Sequence, residues 1–328
     1  MIIANVDRYH LREPLFEGVR VILSHYGEPY SPAYIQGLSG TAFRLGGICP
    51  CAPTCTSAMD QQQLAALLGY GAKRIPFAGE TIEARQAVLA ATMPRLDAEL
   101  AAGRPFLLWH AFTMLEWDVV VGHEGGRFFG RGSYLGLEDY ADEDDQRAAS
   151  PDAEPALGVM LIHKRSAPTR EALCQAEKDS VREAVRHAHD VENLEKVCSS
   201  DRWVFLQGLA AYDRWVSDFG LRAAEHVPPL LGDMYCGNVY AATHRAAAAY
   251  LQEIAPRHGA CRGRLLAAAE CFYREAAALA DARDRINSAY QAGEASPGER
   301  ERIVAALRNA RDAYAAAIDE LKAALPDL

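Results

Sequence analysis

Three short runs decide the fold: RPFLLWHAF at Arg104–Phe112, WDVVVGH at Trp117–His123 and RFFG at Arg127–Gly130. Each is rich in β-branched, aromatic or other apolar residues, and turn-forming residues at 124–126 separate the last two. This spacing is typical of consecutive strands joined by tight turns. A fourth run, LGVMLIH at Leu157–His163, adds a further strand. The sequence therefore predicts an antiparallel sheet in the first half of the chain.

Helical patterns precede these strands. Apolar residues recur at helical spacing in Leu15–His25, where Pro14 stands just ahead of the first turn. Two more helices are predicted at Ser57–Leu68 and Thr81–Ala102. Pro94 lies inside the latter and is expected to divide or kink it.

From Thr169 onward the pattern is almost wholly helical. The predicted helices run over Thr169–Asp190, Arg202–Phe219, Asn238–Pro256, Gly259–Gln291 and Gly298–Leu325. The last two are predicted to pair as a helical hairpin. The fold class is therefore α+β, with one domain at 1–165 and an all-α domain at 166–328.

Composition and charge limit the partners. The chain has 328 residues, a formal net charge of −10 and no basic stripe, so no nucleic-acid partner is expected, because phosphate backbones bind clusters of Lys and Arg. The first ten residues do not have the pattern of a signal peptide. No run of 18 apolar residues predicts a membrane span. The eight cysteines are then expected to be reduced thiols in the cytoplasm.

The string YIQGLSGTAFR at Tyr34–Arg44 follows the first predicted helix. Together with the stretches at 68–70, 129–132, 208–215 and 243–247, it resembles the N-terminal domain of the butirosin-biosynthesis acyltransferase family. That family looks like part of the papain-like superfamily that also contains the bacteriocin-processing cysteine peptidases. The resemblance implies a papain-like N-terminal half with a short antiparallel sheet, in a fold that usually hosts cysteine chemistry.

The resemblance also implies where catalytic groups would stand. The nucleophilic cysteine of the superfamily, at the start of the first core helix, maps to Leu15–Glu17. Its histidine partner maps to Trp117 or Asp118, and the residue that orients the histidine maps near Arg131. Neither a cysteine nor a histidine is present at these positions. Papain-type catalysis is therefore not expected there, and any activity must use other groups.

Three cysteines, Cys49, Cys51 and Cys55, fall within the loop CPCAPTC that runs into the helix predicted near Thr56. Three interpretations stay open. The loop binds zinc or another thiophilic metal, because closely spaced thiolates select such ions. Alternatively, Cys55 is a relocated nucleophile, because a helix N-terminus favours the thiolate. Finally, all three cysteines are structural, since free cysteine packs as a small hydrophobe.

A site is predicted from Glu17, His110 and Asp118, joined by one of the loop cysteines. It would offer either an acid–base pair or mixed nitrogen, oxygen and sulfur ligands for a metal. In the fold that the resemblance implies, the strands that carry His110 and Asp118 face the first helix. The opposing interpretation is that His110 is a hydrogen-bonded core residue. Glu13 and Glu17 would then be an ordinary exposed pair at a helix start.

Candidate substrate-binding residues are Glu116, Trp117, Arg131 and Cys236. Cys236 precedes the helix predicted at Asn238–Pro256, on which Tyr240, Thr243 and His244 follow along one side. The other interpretation is that Cys236 and Tyr240 pack between helices.

These features support three hypotheses. The first is cysteine-dependent acyl transfer, or hydrolysis of an amide or thioester, on a small metabolite. Cys55 is then the nucleophile, His110 the base, and Asp118 or Glu17 the supporting carboxylate. The second is a protein that binds metal through the Cys49–Cys55 loop, with zinc as the candidate ion. The third is a non-catalytic relative that binds a small ligand. No membrane partner is expected, and the Ala-rich helical hairpin suits either a homodimer surface or internal packing.

Overall fold

The computed structural model describes residues 2–28, 30–46, 59–77, 79, 81–109, 111–113, 116–132, 146–148, 157–190, 194–198, 201–219 and 230–328. It confirms the α+β class, with a sheet in the N-terminal half and packed long helices at the C-terminal end. None of the helices in these ranges is long and apolar enough to cross a membrane.

Contacts along the chain group the residues into two compact units. The N-terminal unit comprises Met1–Ile35 and Asp60–Leu173, and the helical unit comprises Gln36–Met59 and Cys174–Leu328. Part of the string YIQGLSGTAFR therefore belongs to the helical unit, although it lies early in the sequence. The predicted division at residue 165 stays a prediction.

The sheet of the N-terminal unit is antiparallel throughout, in the order β1–β6–β2–β3–β4–β5. Its strands are β1 (Tyr70–Ile75), β2 (Phe106–Trp109), β3 (Trp117–Glu124), β4 (Arg127–Arg131), β5 (Gln146–Ala148) and β6 (Val159–Lys164). The four predicted strands correspond to β2, β3, β4 and β6. Buried residues run almost unbroken along β3, as expected for a strand covered on both faces.

Strand β1 was not predicted, and it lies at one end of the strand order. Its sequence, YGAKRI, is half polar, and Lys73 and Arg74 are exposed. Charged residues of this kind are common on edge strands, where they hinder pairing with other chains. In the turn between β3 and β4, Gly125 and Gly126 both have positive φ. This is the geometry of a two-residue type I′ turn, and it confirms the predicted hairpin.

The described helices are α1 (Pro14–His25), α2 (Pro32–Leu38), α3 (Gln61–Leu67), α4 (Ile82–Ala101), α5 (Arg170–Ala188), α6 (Gly208–Asp218), α7 (Leu231–Ile254), α8 (Arg262–Ala292) and α9 (Pro297–Ala324). Pro94 does not divide α4, which continues for seven residues beyond it. The residue one turn before it, Ala90, is exposed, so the carbonyl that Pro94 cannot bond is open to solvent.

The helix predicted at Arg202–Phe219 begins later than expected. Its first residues form β8 (Asp201–Phe205), which pairs with β7 (Leu194–Cys198). Trp, Val and Phe in this stretch favour a strand. Helix α6 begins at Gly208, whose φ is +55° and where a Cβ would lie 2.6 Å from the backbone of Ala188. The start of this helix is therefore set by a close approach to α5.

The helical unit is built on α8, which packs along both α7 and α9. Ser296 caps α9 by accepting a hydrogen bond from the N–H of Glu299. Buried apolar side chains recur along both helices of this pair, among them Leu265, Phe272, Leu279, Ile303, Leu307, Tyr314 and Leu321. The predicted C-terminal helical hairpin is thereby confirmed.

Candidate functional site

The N-terminus of α1 carries its own carboxylate. Glu13 is the N-cap residue, and its side chain accepts hydrogen bonds from the N–H groups of Leu15 and Phe16 at 2.9 Å and of Glu17 at 3.4 Å. Glu13 is almost fully buried, contrary to its interpretation as an exposed residue. The backbone groups that would stabilise a thiolate at this helix start are therefore already occupied by a carboxylate.

Glu17 lies one turn along the same helix and is fully buried. Its Oε1 accepts hydrogen bonds from the backbone N–H of His10 at 2.8 Å and from Nε of Arg20 at 2.7 Å. Its Oε2 has no hydrogen-bond partner among the described residues. Burial raises the pKa of Glu17 from 4.5 to about 7, although the charge of Arg20 opposes this shift.

Strand β3 places a second buried carboxylate, Asp118, in the same unit. Its Oδ2 accepts hydrogen bonds from the N–H groups of Phe112 and Thr113 at 2.7 and 2.8 Å. These bonds hold the chain just ahead of β3 and leave Asp118 in place as an acceptor. The sequence prediction paired Asp118 with Glu17, and both are buried in the N-terminal unit.

Both carboxylates act electrostatically on the buried Tyr9. Its hydroxyl donates to the carbonyl of Trp117 at 2.9 Å. Burial raises its pKa well above the usual value, and the charges of Asp118, Glu17, Glu13 and Glu116 raise it further. Four carboxyl groups therefore act on one buried hydroxyl. No sequence motif marks Tyr9, because it lies 108 residues from its hydrogen-bond partner.

This arrangement suits acid–base chemistry more than thiolate chemistry. A buried carboxyl group with a pKa near neutrality can give up and take back a proton at physiological pH. A helix start whose N–H groups are bonded to Glu13 offers little stabilisation to a second anion. Glu17 and Asp118 lie within the ranges, Leu15–Glu17 and Trp117 or Asp118, to which the predicted resemblance maps the cysteine and the histidine.

Three of the candidate substrate-binding residues lie in the N-terminal unit. Glu116 and Trp117 are buried, and the ring of Trp117 meets that of Trp109 edge-on at 5.6 Å. Arg131 donates from Nη2 to the carbonyl of Val6 at 3.1 Å. Its Nε has no hydrogen-bond partner among the described residues.

The remaining candidates lie elsewhere. Cys49, Cys51, Cys55 and His110 fall outside the described residues, so the roles predicted for them stay predictions. Cys236 is fully buried on α7 in the helical unit. The residue one turn later, Tyr240, is also buried, so the surroundings of both match the interpretation that they pack between helices.

A cavity of about 570 Å³ opens in the N-terminal unit, and it was not predicted. It is lined by Tyr26, Arg104, His163 and Lys164. Two carboxylates partly balance these basic groups: Glu99 pairs with Arg104 and His163, and Glu28 pairs with Lys164. A cavity with this lining is a candidate site for a small polar ligand.

In the helical unit, a buried polar network holds the chain around Arg44. His244 donates from Nε2 to the carbonyl of Arg44 at 3.0 Å, and its Nδ1 lies 2.6 Å from Oε1 of Glu275. Burial alone would lower the pKa of His244, but the charge and hydrogen bond of Glu275 outweigh it and raise that pKa. Tyr212 also donates to Glu275. The buried charge of Glu275 is thus shared between two donors.

The neighbouring residues are held in the same way. The hydroxyl of Tyr240 donates to the carbonyl of Gly46 at 2.7 Å, and that of Tyr314 donates to the carbonyl of Phe43 at 3.0 Å. His187 contacts the backbone of Leu45 through Nε2. These contacts fix the backbone of the string YIQGLSGTAFR and its continuation, and they give Tyr240, Tyr314, His187 and His244 structural partners.

A further group, Cys174, Glu177 and His258, was missed at the sequence level. Their ligand-type atoms all lie within 4.8 Å of one another. Cys174 and Glu177 are spaced i,i+3 on α5, which places them on one face of the helix. That spacing was visible in the sequence, but nothing there indicated that His258 lies beside them.

Comparison with known proteins adds no assignment to this geometry: no protein-family model matches the chain, and no curated protein matches it either.

Proposed function

We propose that the N-terminal unit catalyses acyl transfer, or hydrolysis of an amide or thioester, on a small metabolite, with Glu17 as the group that moves the proton. One observation carries this proposal: Glu17 is fully buried, its Oε2 lacks a hydrogen-bond partner among the described residues, and its pKa is about 7. Perturbed carboxyl groups of this kind cluster at functional sites.

In the proposed reaction, the carboxylate of Glu17 accepts the proton of an attacking water molecule. The water oxygen bonds to the carbonyl carbon of the substrate. As the bond to the leaving sulfur or nitrogen breaks, Glu17 returns the proton to that atom, and a thiol or amine departs. In acyl transfer, an acceptor hydroxyl or amine replaces the water. Asp118, which two backbone N–H groups hold in place, is the supporting carboxylate.

Access to Glu17 requires movement of the segment at residues 7–10. The N–H of His10 bonds to Glu17, while Arg20 bonds to the carboxylate of Asp7 and to the carbonyl of Arg8. The side chains of Asp7 and His10 are partly exposed. Lifting this segment would break these hydrogen bonds, withdraw the buried ring of Tyr9 and break its hydrogen bond to the carbonyl of Trp117, and it would open Glu17 to a substrate.

Cys55 keeps its predicted role as a nucleophile within this proposal. The proposal also includes a cytoplasmic location, in which the thiol of Cys55 would stay reduced. Nucleophilic attack by a thiolate would form an acyl-enzyme that water then hydrolyses. Whether the reaction passes through Cys55 is therefore a separate question from the role of Glu17, and it needs its own variant.

The test is thioester hydrolysis by the full chain. Acetyl, butyryl and aminoacyl thioesters of N-acetylcysteamine serve as substrates, and thiol release is followed from pH 5 to pH 9. Glu17→Gln should lower the rate about 100-fold or more, as for loss of a general base, and remove the inflection near pH 7. Glu124→Gln, an exposed carboxyl group of the same unit, is the matched control and should leave the profile unchanged.

Two outcomes would contradict the proposal. One is a Glu17→Gln variant that folds and keeps the rate and the pH profile of the unaltered chain. The other is a full chain that cleaves none of these thioesters. A parallel Cys55→Ser variant separates the two routes: a full loss of rate assigns the attack to the thiol, and an unchanged rate assigns it to water.

A second candidate function rests on the cavity in the N-terminal unit: binding of a small anionic metabolite without catalysis. The basic side chains of Arg104, His163 and Lys164 line this cavity. Calorimetric titration with succinate and with inorganic phosphate tests it. An Arg104→Ala, Lys164→Ala double variant should lose at least tenfold in affinity, whereas Lys73→Ala, which removes an exposed charge from β1, should not. Equal affinity in all three proteins would refute this candidate.

A further inference from the structure

We propose that Cys174, Glu177 and His258 form a binding site for a thiophilic divalent cation, of which zinc is the expected example. One atom of each side chain lies within 4.8 Å of an atom of each of the others. Thiolate, carboxylate and imidazole are the three ligand types that zinc takes in proteins. The site lies wholly within the helical unit and is separate from the carboxylates of the proposed reaction.

Local structure brings the three residues together. Cys174 and Glu177 face the same way on α5 because they are three residues apart. His258 follows a single 3-10 turn at Ala255–Arg257, which ends α7. Glu177 and His258 are buried, whereas Cys174 is half-buried. A cation would therefore enter from the side of Cys174 and meet two ligands already held in place.

The two oxygens of Glu177 have different surroundings. Nη2 of Arg257 lies 2.7 Å from Oε1. Oε2 has two neighbours: Nε2 of His258 at 2.8 Å and Nε of Arg257 at 3.2 Å. Arg257 thus orients the carboxylate in the manner of the outer partners that fix ligands at metal sites. Oε2 is the oxygen that faces His258, and a metal bond there would replace its contact with Nε2 of His258.

Metal binding would replace the contact between Nε2 of His258 and Oε2 of Glu177. Zinc bonds of about 2.0–2.3 Å place tetrahedral ligand atoms about 3.3–3.8 Å apart. The two residues must therefore separate by roughly 0.5–1 Å from their 2.8 Å contact, a shift that side-chain rotation can supply. One thiolate and one carboxylate balance the charge of the ion, and the fourth position is left to water.

Nearby cysteines provide the controls. Cys261 donates to the carbonyl of His258. It therefore lies too close to the proposed site to be used as a control position. Cys271 is buried on α8 and contacts Arg274 instead, so its loss removes a thiol of the same unit but not a ligand. The predicted metal loop supplies the second comparison, through a triple Cys49→Ser, Cys51→Ser, Cys55→Ser variant.

The experiment titrates the metal-free full chain with Co²⁺, which reports thiolate ligation through charge-transfer absorption in the near ultraviolet. One equivalent should bind to the unaltered chain, to Cys271→Ser and to the triple variant, and Zn²⁺ should displace it. Cys174→Ser should lose the charge-transfer band. His258→Gln should keep a thiolate band but bind at least tenfold more weakly, because one of three ligands is missing.

The proposal is overturned if Cys174→Ser retains the band, or if the triple variant alone abolishes it. It is also overturned if the unaltered chain shows no thiolate band at millimolar Co²⁺. Circular dichroism of each variant shows whether it is folded. A folded Cys174→Ser protein without the charge-transfer band supports the site. Should Cys174→Ser fail to fold, His258→Gln decides, since affinity equal to that of Cys271→Ser would exclude His258 as a ligand.

Discussion

Nε of Arg20 donates a hydrogen bond of 2.7 Å to Oε1 of Glu17, and the pKa of that glutamate is nevertheless raised to about 7. An adjacent guanidinium ordinarily favours the charged carboxylate. Here burial is the larger effect, because Glu17 has no exposed surface and only one of its oxygens is bonded within the described residues. The balance between these two effects sets the pKa of Glu17.

Stability should depend on pH through Glu17. Because its folded pKa of about 7 lies above the ordinary value of 4.5, its protonation stabilises the folded state below pH 4.5, and this contribution is lost as pH rises through 7. At about 1.4 kcal/mol per unit, the loss amounts to about 2–3 kcal/mol between pH 5 and pH 8. Urea unfolding at both values, compared with Glu17→Gln, should show this difference.

The exposed Glu124→Gln variant serves as the control for that comparison, and its offset from the unaltered chain should stay constant with pH. A Glu17→Gln offset that is equally constant would show that Glu17 titrates as an ordinary carboxyl group. That result would also remove the main support for its role in proton transfer.

The cap of α1 should be unusually important for stability. Glu13 accepts three backbone hydrogen bonds, so Glu13→Ala leaves these N–H groups without their acceptor and should lower the free energy of unfolding by about 2 kcal/mol. Thr81→Ala removes a single bond from the exposed cap of α4 and should cost about 0.5–1 kcal/mol. Equal losses in the two variants, measured by urea unfolding, would contradict the importance of the buried cap.

His244 and Glu275 should behave as a coupled buried pair. Both side chains are fully buried, and breaking such a pair typically costs about 3–5 kcal/mol. His244→Gln and Glu275→Gln should each approach that loss, with the double variant less damaged than the sum. Because the pKa of His244 is raised, its protonation stabilises the folded state below pH 6.5, and this contribution is lost as pH rises through the raised value.

A partly exposed histidine provides the comparison for this pair. His25→Gln removes a hydrogen bond to the carbonyl of Gly103 and a ring contact with Tyr26, and it should change the free energy of unfolding by less than about 1 kcal/mol. Strictly additive losses for His244→Gln and Glu275→Gln in the double-mutant cycle would mean that the two residues are not coupled.

Two glycine-to-alanine changes should have opposite signs. A Cβ at Gly37 would lie 2.0 Å from the ring of Tyr250. Gly37→Ala must therefore displace a buried tyrosine, and it should destabilise the helical unit by about 2–4 kcal/mol. Gly263 is an exposed position in α8 with open space around it. There alanine should stabilise by about 0.5–1 kcal/mol, since it favours the helix.

Thermal unfolding monitored by circular dichroism distinguishes the two variants. A stable Gly37→Ala protein would show that the string YIQGLSGTAFR does not depend on close packing against α7. A destabilised Gly263→Ala protein would instead indicate a contact at this exposed face of α8.

Local patterns were sufficient for most helices and for four strands. The spacing in Leu15–His25 and the apolar run at Trp117–His123 each specify an element without reference to the rest of the chain. The pattern was insufficient for β1, whose polar sequence becomes a strand only because β6 supplies its backbone hydrogen bonds. It was also misleading before Gly208, where a short strand pair replaces the predicted helical turns.

The candidate site was partly visible in the sequence. Glu17 and Asp118 could be singled out because the resemblance pointed to their positions. The shared neighbour, Tyr9, could not be found, since more than one hundred residues separate it from β3. Similarly, the Cys174–Glu177 spacing was readable, but its partner His258 lies 81 residues beyond Glu177.

The sequence by itself determined the types of most elements and the α+β class. These are properties of neighbouring residues, which local periodicity records. Only the tertiary structure decided that Glu13 caps its own helix in a buried position, that Glu17 titrates near neutrality, and that Cys174, Glu177 and His258 meet. Burial and long-range contacts arise when distant segments of the chain pack together. The pKa of a buried side chain depends on that packing as well as on the residue type.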